Sequence, residues 1–301
     1  MTPFTLEWEI TNNDEGKLVR EFLKENAISK TALTDIKFAG GGIFCNNEPI
    51  NVRHILNEGD MLKVVFPPEE PSKDLKAENI HLNIVYEDPY VIVVNKPSNQ
   101  QSIPSRDKPS GSLANALLYY YQTTGLGTTV HLVNRLDKDT SGLLLVANHR
   151  HVHHLLSQQQ KDGTLKRSYE AIVHGLLQEK IGTINAPIGR RDDSIIERQV
   201  REDGQKAITH YQVHHANKDW THVYLQLETG RTHQIRVHLS YLGHPIAGDD
   251  LYGGDRSFIN RQALHCRMLT FWHPIFEKEV TFYAGLPSDM MELLHKINLY
   301  L

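Results

Sequence analysis

One stretch dictates how this chain divides. Pro67, Pro68 and Pro71 stand within five residues, among Glu69, Glu70, Ser72, Lys73 and Asp74, with no apolar period. Proline fixes φ and removes a backbone donor, so such a segment enters neither a helix interior nor a central strand. Its mixed charge marks an exposed connector. The 301 residues separate into a small unit over 1–66, a linker over 67–80 and a larger unit over 81–301. Few contacts are expected to cross a linker of this kind.

Composition narrows the class. Hydrophobic residues make up 40% and charged residues 23%, enough for a buried core. No apolar run approaches the roughly 20 residues of a membrane span. The opening MTPFTLEWEI lacks the basic head and apolar stretch of a secretory signal, so a cytoplasmic chain is expected, with no membrane partner. The net charge of −4 argues against a general polyanion binder. It leaves room for Arg and Lys gathered on one face. Cys45 and Cys266 are too few and too distant for a disulfide framework or a Cys-rich zinc site.

In the small unit, Leu18, Phe22 and Leu23 recur at helical spacing, and Ala32, Leu33 and Ile36 suggest a second short helix. Gly40 to Gly42 end it, and Ile43 to Cys45 open a strand. Asn46-Asn47 accepts the positive φ of a tight turn, and a second strand follows at Met61 to Val65. In the larger unit, Tyr90 to Asn95 and Leu143 to Ala147 read as apolar strands, and Leu113 to Tyr121 as a helix. Thr221 to Glu228 alternates, with Val223, Leu225 and Leu227 on one face. Thr232 is expected to cap a helix carrying Ile235, Leu239 and Leu242, with Gly243 at its end. Strands and helices do not alternate regularly, which favours α+β over a doubly wound parallel sheet.

Phosphate-binding and dinucleotide loops are missing, as are HExxH, CxxC and GxSxG, so a mechanism without cofactor or metal is expected. The densest polar cluster runs His131-Leu-Val-Asn134-Arg135-Leu136-Asp137-Lys138-Asp139-Thr140-Ser141-Gly142 into LLLVA. Alone, such a string reads as a solvated turn, but feeding a buried strand it brings a carboxylate to the edge of the core. Asp137 and Asp139 also suggest a two-carboxylate glycosidase, yet two residues apart they are too constrained to flank a sugar. A second cluster, Glu228-Thr-Gly-Arg231-Thr-His233-Gln-Ile-Arg236-Val-His238, places cationic side chains at a helix start. GHPIAGD and LYGG follow, too glycine-rich for plain connector. His149, His151, His153 and His154 tempt a metal reading, but their spacing lacks a completing acid, and a solvated helix start is expected.

Together these strings form a pattern. NRLDKDTSGLLLVA resembles the HRLDxxTSG signature of the RluA family of RNA pseudouridine synthases, and ETGRTHQIRVHL with GHPIAGD and LYGG resembles its later signature. VVNKP, RSYEAIVHG, GQKAITHYQV and LHCRMLTFWHP resemble weaker patterns of that family, so the likeness spans residues 83 to 288. GKLVREFL, ISKTALTDIK, GGGIFCNN and GDMLKV resemble an alpha-L RNA-binding module. That match departs at Lys17-Leu18-Val19 and Cys45-Asn46-Asn47, and residues 12 to 66 hold seven Lys or Arg against eight Asp or Glu.

The resemblance implies a bent, mostly antiparallel mixed sheet with flanking helices around a central RNA cleft, and a small αβ RNA-binding domain in front. It implies isomerisation of uridine to pseudouridine in RNA, ribosomal first and transfer RNA second, by a monomer without cofactor. Asp137 matches the essential aspartate, as nucleophile at the ribose or as base toward the 2′ proton. Arg236 matches the arginine paired with it, and Tyr169 the site tyrosine that stacks on the extruded uracil. RNA contact falls to Arg135, Arg167, Arg231 and His233, and Leu264 forms an apolar wall. Asn134 stands where the family usually has His, keeping a donor and an acceptor but losing the titration near neutral pH. The competing readings are a catalytically silent RNA-binding or ribosome-assembly protein and, further back, the glycosidase.

Overall fold

The computed structural model describes residues 3–72 and 74–299. Lys73 of the linker, residues 1–2 of the small unit and residues 300–301 of the larger unit lie outside the described residues.

The N-terminal unit comprises β1 (Thr5–Glu9), α1 (Val19–Glu25), α2 (Lys30–Phe38), β2 (Gly42–Cys45), β3 (Glu48–Pro49) and β4 (Met61–Val65). Its strands pair antiparallel in the order β1-β4-β2-β3. Val19, Phe22 and Leu23 of α1 and Ile36 of α2 pack on Ile43, Leu62 and Val64. Ser29 Oγ caps α2 by accepting from Ala32 N at 3.1 Å. Asn46 and Asn47 adopt φ of 51° and 69°, as the turn requires. Strand β1, unforeseen from the sequence, completes the sheet by pairing Trp8 with Leu62.

The larger unit follows with β5 (Ile84–Glu87), β6 (Val91–Lys96), α3 (Leu113–Thr124), β7 (His131–Leu132), β8 (Ser141–Ala147), α4 (Arg150–Asp162) and β9 (Lys166–His174). Next come β10 (Ile181–Asn185), β11 (Ile188–Arg190), β12 (Arg198–Val200), β13 (Ile208–Ala216) and β14 (Trp220–Leu227). The chain closes with α5 (Gln234–Tyr241), β15 (Leu264–His273), β16 (Lys278–Tyr283) and α6 (Ser288–Lys296). One sheet runs β10-β13-β14-β9-β15-β8-β6-β5, with β16 beside β15 and β7 beside β8. This mixed, mostly antiparallel sheet with flanking helices is the architecture the resemblance implied.

Strand β8 is buried on both faces, which is why LLLVA is an unbroken apolar run. Leu143 and Leu145 enter the main core, while Leu144 and Val146 meet Leu113, Leu117 and Tyr121 of α3. The one parallel pairing among the described strands joins β8 to β15 through Ser141–His265 and Gly142–Cys266. Gly142 has φ +114°, and a Cβ there would lie 2.3 Å from the Cys266 carbonyl oxygen. Only glycine fits this junction.

Three expectations need correction. The linker lacks helix and strand among its described residues, but it is not a free connector. The buried Glu69 side chain accepts from Arg150 N at 2.7 Å and meets His131 Nε2 and His149 Nε2, the latter at 3.2 Å. Burial raises the Glu69 pKa, yet His131, the Arg150 N–H and His149 outweigh it and hold the carboxylate below its usual range. The histidines are not a solvated helix start either. His149 stacks on Phe4 with ring centres 4.0 Å apart and meets Phe66 edge-on, while His151 lies against Phe66. Asp35 of α2 adds an exposed pair with Arg150 at 3.0 Å. Apolar burial of four rings thus crosses between the units. Finally, Thr232 does not cap α5: His233 occupies the N-cap with φ 58°.

Burial pushes both His149 and His151 down to about 4. Below pH 6.5 the unfolded chain takes up protons that the buried rings refuse until about pH 4, so stability present at pH 7 is lost across that interval. Between pH 7 and pH 5 the loss is about 1–2 kcal/mol per histidine. Urea unfolding at the two pH values is expected to show this fall, reduced by His151→Phe; an equal fall in that variant contradicts the burial argument.

Candidate active site

Asp137 lies in the turn between β7 and β8, and the turn is held along its length. Ser102 Oγ donates to Leu136 O at 2.7 Å and accepts from Leu136 N at 3.1 Å. Asn134 Oδ1 accepts from Leu145 N at 2.8 Å, tying the turn to β8. Its role here is to anchor the loop, which requires no titration. Arg261 Nη1 donates to Asp139 O at 3.2 Å, and Gln262 Nε2 to Thr140 Oγ1 at 3.2 Å. Beneath the turn, the fully buried Lys96 donates from Nζ to Pro97 O, Gln100 O and Lys138 O at 2.8, 2.8 and 3.1 Å. Burial pulls Lys96 down to about 7 against the pull of Asp137 and Asp139.

The groups facing Asp137 come from distant segments. Arg236 on α5 donates from Nη1 to Asp137 Oδ2 at 3.2 Å, as the resemblance implied. Its main partner is another carboxylate: Nε and Nη2 clasp Asp249 Oδ2 and Oδ1, each at 2.7 Å. Burial alone lowers an arginine pKa, but Asp249 and then Asp137 outweigh it and raise that of Arg236. One guanidinium therefore serves two carboxylates, the bidentate edge turned to the buried one.

His233 takes its left-handed backbone just ahead of α5 and sets Nε2 3.9 Å from Asp137 Oδ2. Its Nδ1 shares a 2.8 Å hydrogen bond with Tyr252 OH, which also accepts from Arg198 N at 2.9 Å. The Tyr252 ring lies 4.9 Å from the Arg236 guanidinium. Burial lowers the His233 pKa against the pull of Asp137, leaving the ring neutral at pH 7. Asp249 and Tyr252 had no role assigned from sequence, although GHPIAGD and LYGG contain them. Gly254 makes their turn possible, since a Cβ there would lie 1.9 Å from Ile246 O.

Tyr169 on β9 is buried, opposite Cys266 of β15. Burial, then Cys266, push its phenol well above the ordinary range, with Arg167 opposing. It is a hydrogen-bond donor at neutral pH. Arg135, Asp137, Arg167, Tyr169, Arg231, His233, Arg236 and Leu264 line one pocket. It opens into a cleft of about 830 Å³ that reaches Ser102, Ile103, Ile196 and Arg256. Every site residue named from the sequence thus lies on one pocket. Arg135 and Arg231 are exposed at its mouth, while Leu264 is buried in its wall. A pocket with a fixed carboxylate, cationic partners and an aromatic donor suits chemistry on an anionic polymer with a planar base.

The sequence profile of the family described as RNA pseudouridylate synthase matches residues 90–241, which include Asp137, Tyr169 and Arg236. The chain belongs to the RNA pseudouridine synthase family. The synthase is 56% identical over 280 residues to the uncharacterized RNA pseudouridine synthase YjbO of Bacillus subtilis (strain 168), covering 93% of this chain and 99% of that one. It is 38% identical over 255 residues to the ribosomal large subunit pseudouridine synthase D of Haemophilus influenzae, covering 80% and 78%. The solved structure of human RNA pseudouridylate synthase domain containing 1 superposes with a TM-score of 0.56 at 28% identity, covering 72% of the synthase and 86% of the human chain. Human RNA pseudouridylate synthase domain containing 4 shares the fold with a TM-score of 0.60 at 24% identity, covering 73% and 94%. The synthase is accordingly an isomerase. No helix among its described residues is long and apolar enough to cross a membrane. Cys45, His54 and Asp60 form a separate group of metal-ligating types in the N-terminal unit; there Asp60 already accepts from Asn57 N and Asn46 Nδ2.

The division of Arg236 between two carboxylates gives an asymmetry in stability. Removing one partner of a buried pair costs about 3–5 kcal/mol, and Asp249 is 1% exposed. Asp249→Asn is expected to cost about 3 kcal/mol in urea unfolding, and Asp137→Asn less than about 1 kcal/mol because Arg236 keeps Asp249. Equal losses would show that the pairing is not divided this way.

Proposed function

We propose that this synthase converts specific uridines of ribosomal RNA to pseudouridine, with Asp137 as its essential carboxylate. The observation that carries the reading is the contact of Arg236 with Asp137 in a pocket also lined by Tyr169 and Leu264. Asp137 acts on the ribose, as nucleophile or as base toward the 2′ proton; Arg236 holds it ionised and oriented. Tyr169 and Leu264 receive the extruded uracil between an aromatic ring and an apolar wall. Arg135, Arg231 and His233 contact the RNA around the target. A ribosomal substrate is favoured by the relative named for the large ribosomal subunit.

The N-terminal unit, read as an alpha-L type RNA-binding domain, adds grip. Its balanced charge gives it little non-specific affinity, and its docking through Phe4, Phe66 and Glu69 makes it a fixed part of the binding surface. A silent RNA-binding protein is disfavoured, because nothing in passive binding requires a buried arginine shared between two carboxylates.

Asp137→Asn keeps the side-chain volume and removes the charge. The purified variant is expected to form no pseudouridine on ribosomal RNA, while binding that RNA within about threefold of wild type. Chemical labelling of pseudouridine after incubation checks it, and normal turnover by the variant would falsify the assignment.

A further inference from the structure

Three arginines are buried among the described residues. Arg236 clasps Asp249, and Arg261 clasps Asp289 through Nε and Nη2 at 2.6 and 2.9 Å. Arg167, 7% exposed, has no carboxylate. Among the described residues its guanidinium has no hydrogen-bond partner, and its Nε is a buried donor left unsatisfied. Its terminal nitrogens are left to the pocket, and a largely buried cation with no acceptor from the protein is unfavourable. Such a group persists where a ligand supplies the missing charge.

Its location names the ligand. Arg167 precedes Tyr169 by two residues on β9, so both side chains leave the same face of the strand. Both line the pocket that holds Asp137. On the open side stands Gly230, where a Cβ would lie 3.0 Å from Arg167 Nη2. The backbone thus leaves the guanidinium its space without offering it an acceptor.

We propose that Arg167 is a catalytic residue that stabilises the uracil ring as an anion after its bond to the ribose breaks. This rests on the function proposed above. When N1–C1′ breaks, the bonding electron pair leaves with the base and spreads over the ring nitrogens and the carbonyl oxygens at carbons 2 and 4. A guanidinium offers planar donors to that edge. The ring then turns, carbon 5 bonds to C1′, carbon 5 releases one proton and N1 takes up one, so the composition is unchanged. The charge on the base exists only between the two bonds, and a donor fixed in advance accelerates that interval rather than binding.

The same guanidinium would also suit an RNA phosphate, and rate, affinity and the response to a fluorinated base separate the two. Arg167→Met is expected to lower the single-turnover rate about 100–1000-fold, with RNA affinity and its salt dependence unchanged. Its melting temperature is expected to equal or exceed that of wild type, because an unpaired buried cation has been removed. Arg167→Lys is expected to recover at least tenfold of the lost rate. With 5-fluorouridine at the target, whose ring anion is intrinsically more stable and whose carbon 5 has no proton to release, cleavage of the N1–C1′ bond is read instead, and its gap between wild type and Arg167→Met is expected to narrow at least tenfold.

A phosphate contact would instead weaken affinity, reduce the salt slope by about one and spare the saturating rate; that result overturns the proposal. So does a fall in melting temperature that accounts for the lost rate, or an unchanged gap with the fluorinated substrate. Asp137→Asn run alongside tests the underlying reading. If it turns over normally, the reading itself fails; if it is inactive, the Arg167 variants alone judge this proposal.

Discussion

The site depends on how one positive charge is divided. Arg236 is surrounded by protein, and its position follows from the stronger of two claims on it, the two-point clasp of Asp249. What remains for Asp137 is a single donor at 3.2 Å from the third nitrogen. A two-point clasp on Asp137 itself would engage both oxygens of the carboxylate proposed to react. The buried aspartate takes the geometric duty, and the cleft aspartate keeps a free oxygen beside a fixed cation. Tyr252 reinforces this from the other side, with its ring toward Arg236 and its hydroxyl on His233.

Much of this was legible in the sequence because the informative residues are local strings. LLLVA reads as a buried strand, while RSYEAIVHG carried Tyr169 only as part of the family pattern. The pairing of Arg236 with Asp137 joins residues 99 apart, and no periodicity reports such a contact. It was available only through the resemblance. Asp249 was harder still, because an acidic residue in a glycine-rich turn looks like a surface feature until the fold shows it 1% exposed. Thr232 was misjudged as a cap for a related reason: the left-handed turn at His233 is imposed by tertiary contacts with Tyr252 and Asp137, which override local capping preference.

The linker misled in another way. Its composition describes an exposed connector, and its described residues hold neither helix nor strand. Tertiary structure then recruits Glu69 as a bridge among His131, His149 and the start of α4. Phe4 and Phe66 lie 62 residues apart in sequence and meet the same histidine. Alternation and charge reveal which residues prefer burial, but not which unit will supply the cover.

The parallel junction between β8 and β15 bears on how the protein is made. Ser141 and His265 are 124 residues apart, and a ladder of such long loop closure forms late. As the polypeptide leaves the ribosome, β5 to β8 are available early with α3 to pack on. The Ser141–Gly142 end of β8, next to Asp137, keeps an open edge until residues 264–266 emerge. The pocket that holds Asp137 is therefore among the last parts to assemble, and incomplete chains carry the aspartate without Leu264 and its other late neighbours. Until then Ser141 and Gly142 lack their β15 partners, and an unpaired strand edge is where a growing chain is open to mispairing.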